Sequence, residues 1–358
     1  MINKDKFKIT IKEENSLESL DIKYPQKLMD VIYIAIKKND LIIINFQTKE
    51  ILNNLKYYLQ RITAFHLCKK QFFVDNNPLT ASKDVFYVLS SSLDKKFAIH
   101  KILYKDNIFQ FELIAECEPT DDEINGAIQI ENGQFIISTR DQHIILYSKY
   151  INNKNFNKLY EILKPWPMEA LCPFEIKKNI IGVYWQFDDA ENDESINDSD
   201  EWEINHSNDG LYIYEIKNNQ IQEIKILKKE PSDYHSFINF KNTLIMKYYK
   251  KYKKKIITLD KTNLKFINNL TITNNFTLKW DISSFNHNYF IVIIWKKDEP
   301  ITFQIYENKT IKKVYESKSD KKYFLTEKNA DYWNCSLYKL NNNEYLLKNL
   351  IIKIEKNI

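Results

Sequence analysis

The sequence predicts an all-β protein built of repeated four-stranded sheets, and three observations favour this class. Short runs rich in Ile, Val, Tyr, Phe and Trp recur along the chain and are bounded by Asn, Asp or Lys. These residue types favour strands over helices. A strand-and-turn unit recurs about seven times with a spacing of about 46 residues. Aromatic residues make up 14% of the chain, which is enough for a large buried core.

The repeat is defined by the middle residue of each predicted third strand. These residues are Ile44, His100, Tyr147, Tyr214, Leu259, Tyr306 and Ile352. Two of the intervals between them are longer than the rest, and each contains a segment without strand pattern, residues 75–84 and 188–209. Because propeller blades repeat every 40 residues or slightly more, the pattern predicts a seven-bladed β-propeller that forms a single domain over residues 1–358.

Individual strands are predicted where the apolar runs are clearest. They are Met29–Ile36, Phe135–Ser138, Ile180–Phe187, Leu211–Ile216 and Tyr289–Trp295. Helical spacing appears only in Ile51–Arg61, which allows one short helix there. The chain has only four glycines, so we expect asparagine to occupy the left-handed turn positions. Asparagine turns are predicted at residues 38–40, 218–219, 286–288 and 341–343.

The clearest repeat unit reads INGAIQIEN, GQFIISTRD, HIILYSKY and FNKLYEIL over residues 124–163. In period and strand order this layout resembles the WD40-like seven-bladed propellers, and the resemblance covers nearly the whole chain. The Gly-His and Trp-Asp signatures of those proteins do not occur here. The resemblance implies a closed ring of four-stranded blades.

Closure of the ring is predicted from the two ends of the sequence. The last repeat lacks an outer strand, while Phe7–Lys12 has no place in the first repeat. We therefore expect Phe7–Lys12 to complete the final blade, which would remove two exposed sheet edges. An alternative count also stays open, in which Ile351–Ile358 is the outer strand and Tyr345 belongs to the third strand.

Charge is distributed unevenly along the chain. The formal net charge is +4, but residues 188–203 contain nine acids and no Lys or Arg. A lysine cluster interleaved with tyrosines follows in the next repeat. It comprises Lys247, Lys250, Lys251, Lys253, Lys254 and Lys255, with Tyr248, Tyr249 and Tyr252. Both clusters fall in turns between a second and a third strand, and such turns emerge on the same face of a propeller as the connection that holds Trp166.

Each cluster has two interpretations. The acidic segment 188–209 is either a disordered solubilising insertion or a docking segment for a basic partner. The docking interpretation uses Asp198, Asp200, Glu201 and Glu203, with Trp202 as an apolar anchor. The lysine cluster is either a solvated hairpin tip or an anion site for lipid or RNA phosphates, with Tyr249 and Tyr252 available for stacking. The two loops can also neutralise each other, and Trp166 either fills a gap between blades or is exposed for binding.

The sequence carries no recognised catalytic or cofactor motif. It has no P-loop, dinucleotide-binding glycines, nucleophile elbow or HExxH. The pairs His66-x-Cys68 and Asp141-x-His143 alternate along predicted strands without a specific spacing. No metal site and no cofactor are expected, and the four cysteines are expected to be reduced core residues. Only two arginines occur, which disfavours sequence-specific DNA binding.

The function predicted from these features is a non-enzymatic scaffold that belongs to a larger protein assembly. A rigid ring holds many loops in fixed relation, so separate weak contacts to partner proteins add together. Two alternatives stay open: a module that binds phosphoinositide or RNA phosphates, and a hydrolase or lyase with its site in a central channel. The sequence shows neither an apolar stretch of transmembrane length nor a signal peptide, so a cytoplasmic or nuclear protein is expected.

Overall fold

The computed structural model describes most of the chain, and all of the statements below concern the described part. That part comprises residues 7–13, 22–69, 84–117, 119–152, 154–164, 168–171, 173–187, 210–227, 237–250, 253–273, 278–296, 299–322, 337–341, 343–347 and 350–356. Within these ranges the regular structure is entirely β, which confirms the predicted all-β class.

The described strands are numbered in chain order. The first fourteen are β1 (Phe7–Glu13), β2 (Ile22–Lys27), β3 (Ile32–Lys37), β4 (Asp40–Asn45), β5 (Ile51–Leu55), β6 (Ile62–Leu67), β7 (Val85–Ser92), β8 (Lys96–Lys105), β9 (Ile108–Glu116), β10 (Ile124–Gln129), β11 (Phe135–Thr139), β12 (His143–Asn152), β13 (Asn155–Leu163) and β14 (Met168–Ala170). The others are β15 (Phe174–Lys177), β16 (Ile180–Phe187), β17 (Gly210–Lys217), β18 (Gln220–Leu227), β19 (Phe237–Asn239), β20 (Thr243–Lys250), β21 (Lys253–Asp260), β22 (Lys265–Thr273), β23 (Lys279–Ser284), β24 (Tyr289–Trp295), β25 (Pro300–Glu307), β26 (Lys313–Lys322), β27 (Leu337–Lys339), β28 (Glu344–Leu347) and β29 (Leu350–Lys356).

Unit 1 is the first of two compact units and comprises residues 1–27 and 232–358. Three of its sheets are four-stranded, with strand orders β19-β20-β21-β22, β23-β24-β25-β26 and β1-β29-β28-β27. Alternate residues of these strands are buried in two hydrophobic clusters. One cluster is centred on Phe7, Phe303 and Tyr345, and the other on Trp280 and Phe290.

Unit 2 comprises residues 28–231. It contains the antiparallel strands β3-β4-β5, an eight-stranded sheet of order β10-β11-β12-β13-β9-β8-β7-β6, and a sheet in which both β14 and β15 pair with β16, followed by β17 and β18. The eight-stranded sheet consists of two antiparallel meanders that meet at a single parallel pair, Asn155 with Glu116. The sequence predicts separate second and third blades, so their joining into one sheet differs from that expectation.

All seven predicted third strands are present, each with a partner strand on either side. Their middle residues lie in β4, β8, β12, β17, β21, β25 and β29. In six of the seven, the register with the fourth strand shifts directly at the residue that defines the repeat: Ile44, His100, Tyr147, Tyr214, Leu259 and Tyr306. The repeat position therefore marks a recurring irregularity, which increases local twist in the way a β-bulge does.

The predicted role of the N-terminal strand is confirmed. Strand β1 pairs antiparallel with β29 from Phe7–Lys356 to Glu13–Leu350. Strand β29 is thus the third strand of the last sheet and Tyr345 lies in the second, β28, so the alternative count is wrong. Phe7 is 2% exposed and makes edge-to-face contacts with Phe285, Tyr289 and Tyr315.

Two local expectations are corrected. Residues Ile51–Leu55 form strand β5 instead of the start of a short helix, because β5 pairs with β4 and half-buries alternate residues. The strand predicted at Met29–Ile36 begins only at Ile32, since Leu28 and Met29 donate backbone hydrogen bonds to the Ile32 carbonyl in a tight turn. The predicted strands Ile180–Phe187 and Tyr289–Trp295 have the predicted bounds. Segments 75–83 and 188–209 lie outside the described residues.

Asparagine forms three of the four predicted turns, by two different mechanisms, whereas at 38–40 the left-handed residue is Lys38, with a φ of 55°, and not Asn39. Asn218 and Asn219 have positive φ angles of 52° and 60°, which places them in the left-handed region. Asn286 and Asn341 instead accept backbone N–H bonds two and three residues onward through their side-chain oxygens. Asparagine supports both arrangements because its short amide hydrogen-bonds locally.

Candidate interaction surface

Six connections in unit 2 form a hydrogen-bonded series, and we call this series the loop surface. The described residues of these connections are 38–39, 56–61, 93–95, 117, 119–123, 140–142 and 164. They alternate between turns that join a second to a third strand and connections that join a fourth strand to the next first strand. They therefore lie at one end of the strands of unit 2.

The first half of the loop surface is held at Leu59. The Asn39 side-chain amide donates to the Leu59 carbonyl at 3.0 Å, and the Leu59 N–H donates to the Asp94 carboxylate at 3.0 Å. Two residues further on, the Leu93 N–H donates to the Arg61 carbonyl at 3.0 Å. The backbone on both sides of Leu59 is thus fixed by neighbouring turns.

The second half continues the same series. The Thr120 N–H donates to the Lys95 carbonyl at 2.9 Å, and the Lys95 ammonium donates to the Asp121 carbonyl at 2.6 Å. The Arg140 N–H donates to the Glu123 carbonyl at 2.9 Å, and the two side chains form an ion pair at 3.5 Å. The Lys164 N–H then donates to the Gln142 carbonyl at 3.2 Å. Each connection is therefore hydrogen-bonded to the next connection along the chain.

Leu59 is the most exposed large apolar side chain in the described part, at 88% exposure. The two tyrosines before it face inward and support it. The Tyr58 hydroxyl donates to the Ser90 carbonyl at 2.7 Å, while the Tyr57 hydroxyl bonds the Glu116 carboxylate. The Tyr57 ring also meets the buried His100 ring edge-on at 4.7 Å. The result is an apolar side chain that projects into solvent from a rigid support.

A cavity of about 420 Å³ opens beside this surface, where the 117–123 connection meets the second meander of the eight-stranded sheet. Residues from the 117–123 connection, the end of β11, the 140–142 turn, β12 and β13 line it. They are Cys117, Pro119, Thr120, Asp121, Thr139, Asp141, His143, Ile145, Tyr147, Asn155, Phe156, Lys158 and Glu161. A volume of this size lies within the range of small-ligand sites.

The polar wall of the cavity centres on His143. Its Nδ1 lies 2.8 Å from a Glu161 carboxylate oxygen, and its Nε2 lies 3.6 Å from an Asp141 oxygen. The other Glu161 oxygen accepts from the Lys158 ammonium at 2.5 Å, and the Thr139 hydroxyl donates to Asp141. Burial raises the pKa of Glu161, but the hydrogen bond and charge of Lys158, together with His143, outweigh burial and lower the pKa below its usual value. Glu161 is therefore an anion at neutral pH.

The apolar wall is made by aromatic side chains that are packed against one another. The Phe156 ring lies 4.3 Å from Phe97, 5.3 Å from Phe135 and 5.8 Å from Tyr147, measured between centroids. Burial raises the pKa of the Cys117 thiol to about 12, so this cysteine is protonated. Cys68 and Cys117 are both buried and reduced, as predicted.

Most of the site residues predicted from sequence fall outside the described part. They are Trp166, Asp198, Asp200, Glu201, Trp202, Glu203, Lys251 and Tyr252. The backbone of Tyr249, Lys250 and Lys253 lies in the hairpin β20–β21, but their side chains are not described. The predicted position of the lysine cluster, between a second and a third strand, agrees with this hairpin.

Two of the predicted anion-binding lysines face the interior of unit 1. The Lys247 ammonium is 3.3 Å from the buried Asp281 carboxylate and 3.2 Å from the Trp280 carbonyl. Lys254 is 6% exposed. Burial, followed by the charges of Lys247 and Lys279, lowers the pKa of Lys254 to about 8. Both side chains therefore contribute to the packing of unit 1.

The sequence places Asp141 and His143 two residues apart, but nothing in it connects them with Glu161 and Lys158. The connection comes from pairing: Ile145 of β12 is directly opposite Glu161 of β13, so His143 and Glu161 are diagonal neighbours. The sequence does contain one indication of this contact, because polar residues occur at matching positions of two strands that are predicted to be adjacent. Leu59 carried no signal, because nothing in the sequence separates an exposed leucine from a buried one.

The described part holds no group of three or more His, Cys, Asp and Glu side chains arranged to bind a metal ion. None of the elements described here is a helix with the length and apolar character needed to cross a bilayer.

Comparison with solved structures shows the class: the chain has a β-propeller fold. It is similar to the β-propeller domain of Cps50 (Swd1) from Myceliophteria thermophila, with a TM-score of 0.57 and 10% identity, over 94% of this chain and 96% of that one. It is also similar to Raptor from Chaetomium thermophilum, with a TM-score of 0.59 and 10% identity, over 94% of this chain. The chain spans 28% of the length of Raptor. No protein-family model and no curated protein matches the sequence.

Proposed function

We propose that this chain is a non-enzymatic interaction scaffold that binds other proteins through the loop surface of unit 2, as a subunit or adaptor of a larger assembly. The observation that carries the proposal is the hydrogen-bonded series of connections that presents Leu59. Loops held in this way pay little ordering entropy on binding, so several weak contacts add together. A partner that covers Leu59 would remove its exposed apolar surface from water, which favours binding.

Capture of partners from an extract of the native cells tests this function. The tagged wild-type protein is compared with the variants Leu59→Asp and Ile108→Asp, and bound proteins are identified by mass spectrometry. Ile108 is 59% exposed but lies at the β8–β9 turn, at the opposite end of the strands from the 93–95 turn. We expect Leu59→Asp to lose partners and Ile108→Asp to keep them. Identical partner sets for the two variants would remove the loop surface from the proposal.

The segments predicted from sequence supply a second candidate surface. Trp166, the acidic segment 188–209 and the lysine hairpin stay proposals for partner binding. A variant that lacks 188–209 and carries Glu at Lys250, Lys251 and Lys253 tests them in the same capture experiment. Lys254 is left unchanged because it is buried, and charge reversal there would destabilise unit 1.

The second function, binding of lipid or RNA phosphates, draws support from one observation. The pKa of Lys254 is lowered by burial and then by Lys247 and Lys279, which means that positive charge is concentrated around the β20–β21 hairpin. Against this, Lys247 already bonds Asp281. The third reading, a hydrolase or lyase with a central-channel site, stays a prediction.

A further inference from the structure

We propose that the cavity where the 117–123 connection meets β12 and β13 takes the cationic side chain, arginine or lysine, of a partner protein that docks on the loop surface. This inference rests on the proposed function, since it names the chemistry that a partner must bring to that surface. It is carried by the charge, shape and position of the cavity, which are independent of Leu59.

Charge is the first argument. Three carboxylates line the cavity, Asp121, Asp141 and Glu161, against the single ammonium of Lys158. Lys158 is already bonded to Glu161. One Asp141 oxygen accepts from Thr139, while the other is 3.6 Å from His143, which is longer than a hydrogen bond. The Asp121 side chain is exposed, and its hydrogen bond to Lys95 uses the backbone carbonyl instead of the carboxylate. Asp121 and Asp141 can therefore accept from an incoming cation.

Shape is the second argument. The long aliphatic stem of an arginine or lysine needs an apolar wall behind the carboxylates. Ile145, Tyr147 and Phe156 provide this wall, and two of them are aromatic rings. An aromatic face attracts a cation, most strongly when both are removed from water. Because Phe156 is fixed by Phe97 and Phe135, the wall is formed before any ligand arrives.

Position is the third argument. Thr120 and Asp121 belong to the 117–123 connection, and Asp141 belongs to the 140–142 turn. Both connections are members of the loop surface and are bonded to each other through Arg140 and Glu123. A protein docked on that surface therefore reaches the cavity with a side chain, without further rearrangement of the backbone.

A small-molecule probe tests the cavity without the unknown partner. N-acetyl-arginine methylamide and its uncharged counterpart N-acetyl-citrulline methylamide are titrated into the full chain labelled at isoleucine methyl groups, and the Ile145 signal is followed by NMR. The third probe is Nα-acetyl-lysine methylamide, which keeps its ε-ammonium group. Comparing its binding with that of the arginine probe shows which of the two cations the cavity prefers. We expect saturable shifts of Ile145 with at least one cationic probe and none with citrulline. Equal binding of citrulline, or no shift with either cation at tens of millimolar, overturns the proposal.

Variants locate the binding. Asp121→Asn and Asp141→Asn are each expected to weaken the cationic probe about tenfold, because each removes a charged hydrogen-bond acceptor. Asp121 is exposed, so its replacement keeps the test meaningful even if Asp141→Asn fails to fold. The matched control is Asp106→Asn at the β8–β9 turn, where asparagine accommodates the positive φ of 51°. If Asp121→Asn binds the cationic probe as tightly as the wild type, and Asp141→Asn folds and also binds it as tightly, the proposal is overturned. If Asp141→Asn does not fold, unchanged binding by Asp121→Asn is sufficient to overturn it.

The two proposals fail in distinguishable ways. If Leu59→Asp loses partners but the cationic probes do not bind, the loop surface is correct and the cavity assignment is wrong. If the probes bind while Leu59→Asp keeps every partner, the cavity takes cations but the loop surface is not where partners dock.

Discussion

Asp281 illustrates how one buried side chain organises unit 1. It is 2% exposed and lies in β23, yet its carboxylate accepts from the Leu337 N–H of β27 at 2.7 Å and from the Lys247 ammonium of β20 at 3.3 Å. Strands of three sheets therefore meet at a single side chain. This role could not be predicted from the sequence, because an Asp between Trp280 and Ile282 is equally compatible with the end of a strand and with a buried position inside one.

Lys254 leads to a prediction about pH. Its pKa in the folded protein is about 8 rather than 10.5, with burial as the main cause. Between these two values the unfolded chain binds more protons at this site than the folded chain, so stability rises with pH. From pH 7.5 to pH 10 the wild type should gain on the order of 2 kcal/mol relative to Lys254→Met. Urea denaturation of both proteins at several pH values measures this difference.

The same comparison contains its own control. Other groups that titrate in this range, tyrosines above all, are common to both proteins and cancel in the difference. Parallel stability profiles for wild type and Lys254→Met would mean that the ammonium is solvated in the folded state.

At the scale of single elements, local sequence pattern predicted the bounds of two strands that are buried on both faces. Ile180–Phe187 and Tyr289–Trp295 have their predicted bounds because continuous β-branched and aromatic runs leave one choice. The helix allowed at Ile51–Arg61 was wrong because spacing alone does not register pairing with β4, which decides the structure. The register shifts at the repeat positions could not be predicted from the sequence either, because a bulge depends on how the strand pairs with its partner.

Strand β1 gives a prediction of its own. Phe7 is buried among Phe285, Tyr289 and Tyr315, so Phe7→Ala should destabilise the protein by about 3 to 5 kcal/mol. Lys8→Ala is the matched control, because Lys8 follows Phe7 on the same strand and its side chain is exposed. Chemical denaturation measures both free energies of unfolding. A loss with Phe7→Ala no larger than with Lys8→Ala would contradict the assigned pairing of β1 with β29.

For the whole molecule, the sequence predicted the fold well and the candidate site poorly. The repeat follows from strands that recur at a constant interval, and such an interval survives even though identity to the propellers compared here is 10%. The loop surface depends on hydrogen bonds between connections far apart in the chain, such as Asn39 with Leu59 and Leu59 with Asp94. Backbone groups make many of these hydrogen bonds, so they cannot be predicted from the type of residue.

Net charge supplies a prediction at this scale. Segment 188–209 contains ten acids and no Lys or Arg, so its removal changes the formal charge from +4 to +14. A protein of that charge attracts phosphate polymers non-specifically. The deletion variant should bind single-stranded RNA more tightly than wild type at low salt, with the difference shrinking steeply as salt screens the lysines. Fluorescence anisotropy at several salt concentrations measures this, and equal salt slopes for the two proteins would contradict it.

The pairing of β1 with β29 has a consequence for how the protein is made. The ribosome completes β1 at Glu13 long before it reaches Leu350, where the pairing partner begins. At ordinary rates of translation the wait lasts roughly 20 to 70 s. For most of that time Phe285, Tyr289 and Tyr315, which bury Phe7, have not yet been made, so β1 is synthesised early but is among the last strands to pair.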